Sequence, residues 1–540
     1  MKKAFILIVM LLLAFAAVGF AAASNENFTM AYNGVVTMNP LMTQASNDHN
    51  VFYLTQLQLV RYYGTDMEFD AAESFDMSDD ATVYTFHLRD GLKWSDGEPV
   101  TAYDFETTMK WTFDPEFGCP SAQKWYMIKN SEAYSTGSDE SLSWEDVGVK
   151  ALDDKTIQFT MERPLSTFAE TVATKSLYPL RSDFVDSIGA DKLGSSVDTM
   201  LYSGPYVISN WVLESSMDLV KNENYWNAEN SFPVQNIHLV EVEDPNTEVA
   251  MFENGEVDAI EQISSQYYGY MEPYKYNVSG GGFMFLWMNG NGATEASQAL
   301  MSNVNFRQAL NYGFNREATT ALVDAAAQPA NRPIDPSFSG PNGGLFVDEY
   351  PVETVPLTGD TEKAKEYLAA AMEELGYSSV DELPQLSIVT WDTAGQKLLG
   401  ESIIDQWKQN LGLNNIQLNQ YVIGTAIGKF FDLTYDIFMI TWETEVLPTD
   451  ILQAMATGGE CNAGIWSDEE FDTLVKQSVD SIDPVEKAEF AHQAEQRFLD
   501  LAYIQPVWLE GQFHAVQDYV DGFVIEPRNG YAFNHLEVNN

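Results

Sequence analysis

The feature of the sequence that limits the fold and location of this chain most strongly is one long apolar stretch at its N-terminus. Two lysines precede an apolar run over residues 4–20, and three alanines follow at 21–23. A basic start, an apolar centre and small residues at the end are typical of a secretory signal peptide. No comparable run follows. We therefore predict a signal peptide over residues 1–23 and a mature chain from Ser24 that inserts no segment into a membrane. We expect it in the periplasm, since no cysteine near Ser24 offers a lipid anchor.

The chain is strongly acidic. Its 540 residues include 80 Asp and Glu against 28 Lys and Arg, a formal net charge of −52. Such a charge repels nucleic-acid phosphates and anionic lipids, which argues against both as partners. The acidic residues are spread along the chain, which is typical of a solvated surface. The alternative is a negative field that attracts cationic or amine-bearing solutes.

Strand and helix patterns mix along the whole sequence. Apolar alternation over 83–93 predicts a strand that ends in a turn, and Thr101 predicts a helix from Ala102. Alternation over 149–161 predicts a hairpin, and residues 204–220 predict two more strands. A chain of 540 residues also exceeds what one core usually supports. We expect a mixed α/β protein of two or three lobes.

No pattern in the chain indicates a catalytic or metal centre. The six histidines are scattered, without the spacing of metal ligands, and no Gly-x-Ser-x-Gly nucleophile motif is present. Glu443 and Glu445 resemble the paired carboxylates of glycoside hydrolysis, but spacing alone does not establish the separation that this chemistry needs. We expect no enzyme activity, no cofactor and no metal. Whether Cys119 and Cys461 pair stays open.

Several segments, in order, resemble the family 5 extracellular solute-binding proteins, the oligopeptide, dipeptide and nickel binding group. The most specific is FHLRDGLKWSDGEPVTAYDF at 86–105. The others lie at 203–226, 304–316, 435–442 and 464–471. Together they span nearly the whole mature chain.

The resemblance implies a bilobal, periplasmic-binding-protein-like fold of the class II type, with an extra subdomain inserted in the first lobe. We expect the first lobe to be discontinuous and the second to occupy the middle of the chain. The predicted boundaries are 24–59, 175–281 and 510–540 for lobe I, 60–174 for the inserted subdomain and 282–509 for lobe II. The glycine run at 280–282 and the strand at 283–288 predict a hinge.

The resemblance also implies a function. We expect a monomer that captures a peptide-like solute between hinged lobes and delivers it to the permease subunits of an ABC-type importer. An oligosaccharide ligand is the alternative, nickel or haem is a third, and a secreted glycoside-acting enzyme is a remote one.

In the peptide-binding members, an acidic residue three places after a tryptophan holds the peptide ammonium group. Glu445 stands at that distance from Trp442, with Glu443 between them. Some members carry an arginine three places before the tryptophan, where this chain has Met439. Arg332 is the cation that we nominate in its place, with a loop salt bridge as its other interpretation.

Further ligand contacts are expected from aromatic and polar residues. Trp287 and Trp391 offer flat faces that suit sugar rings and side chains alike, and Asn289 offers hydrogen bonds. In the first lobe, the lip of the site is expected at Gln44, Asn47 and Asp48.

Other residues are expected to serve the fold. Gly91 and Gly97 are predicted to adopt positive φ in turns, and Trp94 to pack beneath a sheet. Arg307 and Arg316 are predicted to pair with carboxylates of their own lobe.

Overall fold

The computed structural model describes residues 26–43, 45–63, 66–175, 177–443, 447–459, 461–526 and 530–539. The predicted signal peptide lies outside these residues. Within them, no helix is long and apolar enough to cross a membrane.

The strands follow one another along the whole chain. In chain order they are β1 (Asn27–Tyr32), β2 (Val60–Tyr63), β3 (Asp66–Phe69), β4 (Ala72–Met77), β5 (Val83–Leu88), β6 (Val149–Asp153), β7 (Thr156–Thr160), β8 (Tyr206–Val212), β9 (Ser216–Lys221), β10 (Asn236–Glu241), β11 (Ala259–Ile260), β12 (Lys275–Met288), β13 (Gln328–Pro329), β14 (Leu386–Trp391), β15 (Ile416–Tyr421), β16 (Ile437–Glu443), β17 (Ile504–Val516), β18 (Val520–Asp521), β19 (Ile525–Glu526), β20 (Gly530–Tyr531) and β21 (Glu537–Val538).

The α-helices alternate with these strands, which confirms the mixed α/β class. They cover Ser46–Thr55, Ala102–Thr112, Ser131–Ser135, Phe168–Lys175, Ser182–Ile188, Pro245–Glu253, Glu295–Ser302, Val304–Tyr312, Arg316–Val323, Phe346–Glu349, Thr361–Leu375, Ala394–Leu411, Ile423–Phe431, Pro448–Met455, Glu469–Asp480 and Pro484–Leu501.

One large sheet runs through the described molecule. Its order is β15-β14-β16-β12-β17-β11-β1-β10-β9-β8, with β13 attached to β17. β1 is parallel to β10 and β11, and β14 is parallel to β15 and β16. We call the side that contains β1 and β8–β11 lobe I and the side that contains β14–β16 lobe II. A separate sheet, β4-β5-β7-β6, lies in the region predicted as an inserted subdomain.

Two long strands carry the sheet from one lobe to the other. Lys275 to Ser279 of β12 pair with β17 in lobe I, and Phe283 to Trp287 pair with it in lobe II. The register shifts between Ser279 and Phe283, and Gly281 adopts φ +72° there. The glycine run at 280–282 therefore forms an irregular step in a strand that crosses between the lobes, as the hinge prediction requires.

Buried side chains gather separately on the two sides of this step. In lobe II, Phe283, Phe285 and Trp287 of β12 belong to one apolar core, and Met284 and Leu286 belong to another on the opposite face. This is the period of two expected for a strand buried on both faces. The largest core of lobe I draws its buried side chains from the chain before β12 and from the C-terminal segment after β17. The predicted domain boundaries stay a prediction.

The two cysteines lie in different parts of the molecule. Cys119 is buried, and its Sγ donates to the carbonyl of Leu41 in lobe I at 2.9 Å. Cys461 is buried in a core of lobe II.

The sequence patterns predicted the local elements well. The helix after Thr101 begins at Ala102, and the Asp104 carboxylate accepts the Thr101 N–H at 2.7 Å. Gly91 and Gly97 adopt φ +78° and +93° in their turns, as predicted.

The prediction for the two arginines is wrong. The guanidinium of Arg307 donates to the carbonyl of Leu501 at 2.9 Å and lies 3.4 Å from the ring centroid of Tyr503. That of Arg316 donates to the carbonyl of Pro506 at 2.7 Å. Burial lowers their pKa values to about 10 and about 9. Backbone carbonyls and an aromatic face satisfy these groups. Arg307 therefore ties its helix to the C-terminus of the helix Pro484–Leu501, and Arg316 ties its helix to the start of β17.

Candidate ligand cleft between the two halves of the sheet

The parallel strands of lobe I run toward the hinge. β11 is antiparallel to β17, with Ile260 opposite Ala515. Beyond it, the N–H of Ile263 donates to the carbonyl of Phe513 at 2.8 Å, which is closer to the hinge. Because β1 and β10 are parallel to β11, their carboxyl ends lie at the same edge.

The parallel strands of lobe II run toward the hinge from the other side. β16 ends at Glu443, which pairs with Gly282 of β12. The carboxyl ends of β14 and β15, at Trp391 and Tyr421, follow the same direction. Ligands of open α/β sheets bind outside the carboxyl ends of parallel strands. The two edges therefore bound a candidate ligand cleft with the hinge at its base.

The lobe I edge is rich in carboxylates. Glu261, directly after β11, is 4% exposed and accepts the backbone N–H of Asn33 at 2.7 Å and the Asn50 side-chain amide at 2.8 Å. Burial raises the pKa of Glu261. Glu241 ends β10, and burial, followed by the nearby Glu214, raises its pKa. The donors from Asn33 and Asn50 hold the Glu261 carboxyl group in place, and the edge keeps its acidic side chains.

A further carboxylate stands behind this edge. Glu248 lies on the helix Pro245–Glu253, which follows β10. Burial, followed by the neighbouring Glu261, raises the pKa of Glu248 to about 7. Sequence reasoning missed all of these acids, because β10 and β11 were not among the predicted strands and Glu248 lies on a helix that was not predicted either.

The lobe II edge is aromatic. Trp442, on β16, is partly buried, with its ring 6.1 Å from that of Trp287. Trp391, at the end of β14, is also partly buried and lies 5.9 Å from Phe438. Trp287 itself has no exposed surface. It therefore supports Trp442 from within the core. This corrects the prediction that Trp287 contacts the ligand directly.

An apolar stripe continues from this edge. The helix Ile423–Phe431 begins two residues after β15 and buries Ala426 and Phe430. Its other face exposes Ile423, Ile427 and Phe431 by 63%, 40% and 64%. These positions are four apart, so they form one line along the helix that starts at the cleft edge. We call them the apolar stripe.

A hydrogen bond beside the glycine step links β16 to β17 across β12. The carboxylate of Glu510 on β17 accepts the hydroxyl of Thr441 on β16 at 3.0 Å and the indole N–H of Trp508 at 3.1 Å. β12 lies between these strands. A Cβ at Gly282 would stand 3.1 Å from Thr441 Cγ2 and 3.5 Å from Glu510 Cγ. Because Gly282 has no side chain, there is space above β12 in which the side chains of Thr441 and Glu510 meet.

The predicted lip of lobe I is an ordered loop. The carboxylate of Asp48 is buried and accepts the N–H groups of Val36 and Thr37 at 2.6 and 3.1 Å and the hydroxyl of Thr43 at 2.7 Å. Because these donors occupy it, Asp48 shapes the lip and does not reach a ligand, which corrects that prediction. Asn47 is partly exposed on the helix Ser46–Thr55.

Two other predicted contacts are engaged elsewhere. The Asn289 side chain is fully buried and donates to the carbonyls of Leu433 and Tyr435 at 3.1 and 2.9 Å. Arg332 forms two bonds to the buried carboxylate of Glu495, at 2.8 and 2.6 Å. Asn289 fastens the segment that leads into β16, and Arg332 adopts the loop salt bridge that was its other interpretation. Neither is available to a ligand.

The remaining predicted residues are Gln44, Glu443 and Glu445. Gln44 and Glu445 lie outside the described residues, as does the side chain of Glu443. In the described part of the chain, no group of three or more His, Cys, Asp and Glu side chains is arranged to hold a metal ion.

Comparisons with known proteins agree with this architecture. The family model of bacterial extracellular solute-binding proteins, family 5 (middle region), matches residues 66–462. The oligopeptide-binding protein OppA of Bacillus subtilis is 28% identical over 86% of this chain and 83% of its own length. The dipeptide-binding protein DppE of the same organism is 28% identical over 93% of this chain and 89% of its own length.

Solved structures share the fold. The murein tripeptide binding protein MppA, in an unliganded open form, superposes with a TM-score of 0.80 at 20% identity, over 94% of this chain and 95% of that one. Listeria monocytogenes OppA bound to peptide gives a TM-score of 0.69 at 22% identity, over 96% and 100%. The chain belongs to the bacterial extracellular solute-binding proteins of family 5.

Proposed function

We propose that this protein captures a peptide between lobe I and lobe II and hands it to the permease of an ABC-type importer. The observation that carries the proposal is the pair of parallel-strand edges that face each other across a two-strand hinge, one acidic and one aromatic. The names of the relatives support a peptide as the ligand, since they are an oligopeptide-binding and a dipeptide-binding protein.

The acidic edge fits the ammonium group of a peptide. A carboxylate in a partly enclosed site forms a charge-assisted hydrogen bond with an amine. Glu445 is proposed as the direct contact, with Glu443 and the acidic edge of lobe I adding to the negative potential. The formal net charge of −52 favours the approach of the same group.

The aromatic edge and the apolar stripe fit side chains. Trp442 and Trp391 offer planar faces, and the apolar stripe offers branched and aromatic surface beside them. We propose that the preferred peptides carry apolar side chains. Gln44 and Asn47 are proposed as lip contacts.

The proposal includes the setting of the protein. It is exported by the predicted signal peptide, works in the periplasm as a monomer and performs no chemical step on the peptide. The domain boundaries predicted above describe its two lobes and inserted subdomain.

An oligosaccharide is the second candidate ligand because the aromatic edge also suits sugar rings. A thermal-shift screen of the mature chain from Ser24 separates the two, since a ligand that binds only the folded state raises the melting temperature. The panel contains di- to pentapeptides and short α- and β-linked glycans.

We expect apolar peptides to raise the melting temperature and Glu445→Gln to reduce that shift, while Glu256→Gln, at an exposed position of lobe I, leaves it unchanged. A shift with glycans alone, lost in Trp442→Ala and indifferent to Glu445→Gln, would overturn the peptide proposal.

A further inference from the structure

The two lobes also touch outside the crossing strands. The hydroxyl of Ser166, just before the helix Phe168–Lys175, donates to the backbone carbonyl of Ser481 at 3.1 Å. That helix buries one face in the largest core of lobe I. Ser481 follows the helix Glu469–Asp480, whose apolar face belongs to a core of lobe II. The hydrogen bond therefore joins two elements that are anchored in different lobes.

A cation of lobe II lies near this contact. Lys487, on the next helix of lobe II, is partly buried. Burial lowers the pKa of Lys487, and three nearby carboxylates oppose that shift. Two of them, Asp450 and Asp480, belong to lobe II and have the smaller effects. The strongest of the three is Glu170, which lies on the helix of lobe I.

Glu170 is the counterpart of this lysine in lobe I. It lies four residues after Ser166 and is partly buried. Burial raises the pKa of Glu170, and the charge of Lys487 is among the effects that oppose the shift. Within lobe II, Asp480 already pairs with Lys476. Among the described residues, neither Glu170 nor Lys487 forms a direct ion pair. Both charges therefore lose water at the boundary between the lobes without a partner in contact.

We propose that Glu170 and Lys487 form an interlobe latch, a salt bridge that joins when the lobes close on a ligand and that stabilises the closed form. The inference rests on the proposed function, in which the lobes enclose the captured peptide. Ser166 and Ser481 already meet beside the pair, so a small further rotation about the hinge is enough to join the two charges. A partly desolvated pair gains more from contact than a pair on the open surface, because water and salt screen it less.

A latch of this kind changes affinity without touching the ligand. The apparent affinity depends on how readily the protein reaches its closed form, so an interaction made only in that form tightens every ligand by the same factor. Removal of the latch should therefore weaken peptides of different sequence equally. A side chain that contacts the ligand would instead affect each peptide according to its side chains.

The test is a double-mutant cycle on the mature protein. Titration calorimetry at pH 7 measures the affinities of two peptides with different side chains for the wild type, Glu170→Gln, Lys487→Met and the double variant. The matched controls are Glu73→Gln, at an exposed position of β4, and Lys150→Met, at an exposed position of β6. Melting temperatures establish that each variant is folded.

We expect each single variant to bind both peptides about fivefold more weakly, which corresponds to about 1 kcal/mol. The double variant should lose no more affinity than either single one, because the same interaction is removed in all three. Both controls should keep the affinities of the wild type.

An effect of Glu170→Gln that persists in the Lys487→Met background would come from the field of the carboxylate on the peptide, and it would overturn the latch. Unchanged or tighter binding in the single variants would overturn it too, since the pair would then not favour the closed form. Both results leave peptide capture intact. If the ligand is a glycan and no peptide binds, the proposed function fails, and the same cycle measured with that glycan decides for or against the latch. If neither class of ligand binds, both proposals fail.

Discussion

In lobe I, the carboxyl ends of β10 and β11 lead to Glu241 and Glu261, whereas in lobe II the ends of β14 and β15 carry Trp391 and Tyr421. The strands at both edges are parallel and point at the same hinge. The two edges therefore share one backbone geometry but differ in the chemistry of their side chains. A parallel edge determines where side chains gather, and the residue types at its end decide whether charge or shape is recognised.

The largest effect is expected where the acidic edge is anchored. Glu261→Gln removes a charge and places an amide N–H₂ opposite the donors of Asn33 or Asn50. We expect the free energy of unfolding to fall by about 2–3 kcal/mol, because a buried donor is left without an acceptor. Denaturant unfolding measures the loss, with the exposed Glu256→Gln as control. An equal stability of the two variants would show that the edge does not depend on this carboxylate.

Trp442→Ala addresses the aromatic edge. It removes a face that packs on Trp287 and, by the proposal, on the ligand. We expect peptide affinity to fall about tenfold, in line with the energy of an aromatic contact plus the buried area that it loses. Calorimetry checks the value. Trp211→Ala, a partly exposed tryptophan on β8 in lobe I, should keep the affinity. An unchanged affinity in Trp442→Ala would remove this residue from the site.

Glu248 makes the acidic edge sensitive to pH. Its pKa is raised from 4.5 to about 7 in the folded chain. Between these values the folded state keeps a proton that the unfolded state has released, so stability falls as pH rises from about 4.5 to 7 and is then level. Because the group is partly exposed, we expect a contribution of about 1 kcal/mol. Melting temperatures of Glu248→Gln and of the wild type should differ more at pH 7.5 than at pH 4.5. A difference that does not vary with pH would contradict the assignment.

Gly282→Ala acts on the hinge between the two edges and should change stability least. The added Cβ crowds Thr441 and Glu510, while alanine lowers the entropy of the unfolded chain, so we expect a net change of under about 0.5 kcal/mol. The loss of the cross-strand hydrogen bond should instead alter the change in radius of gyration when peptide binds. Small-angle scattering measures it. Gly269→Ala, with no atom within 4 Å of its new Cβ, is the control. An identical response in both variants would show that the hinge does not use this bond.

Sequence patterns predicted strands and turns, because these depend on local periodicity and on glycine and capping residues. The family was predicted from the resemblance of several segments. The period of two predicted β5, and Thr101 predicted the start of its helix. The acidic edge was not predicted because Glu241 and Glu261 are distant in sequence and meet only when β10 and β11 flank β1.

The hydrogen-bond partners of buried polar groups could not be predicted from the sequence either. Asn289 and Arg332 have side chains that suit a ligand, and only the folded structure shows that backbone carbonyls and Glu495 already hold them. Arg307 and Arg316 were expected to meet carboxylates, but backbone carbonyls lie within their reach. A donor takes the acceptor that packing brings near, and residue type alone does not specify which one that is.

The paired crossing of β12 and β17 also determines how the chain could be rearranged. The chain enters lobe II near Phe283 and leaves it near Leu509, and these two residues are register partners on adjacent strands. The segment between them therefore starts and finishes at one point of the molecule, as an inserted domain does. A related lobe with the same two strand ends could be transplanted there, which would exchange the aromatic edge and the apolar stripe while lobe I keeps its acidic edge. Such an exchange would replace the surface proposed to recognise peptide side chains and would leave the acidic edge of lobe I unchanged.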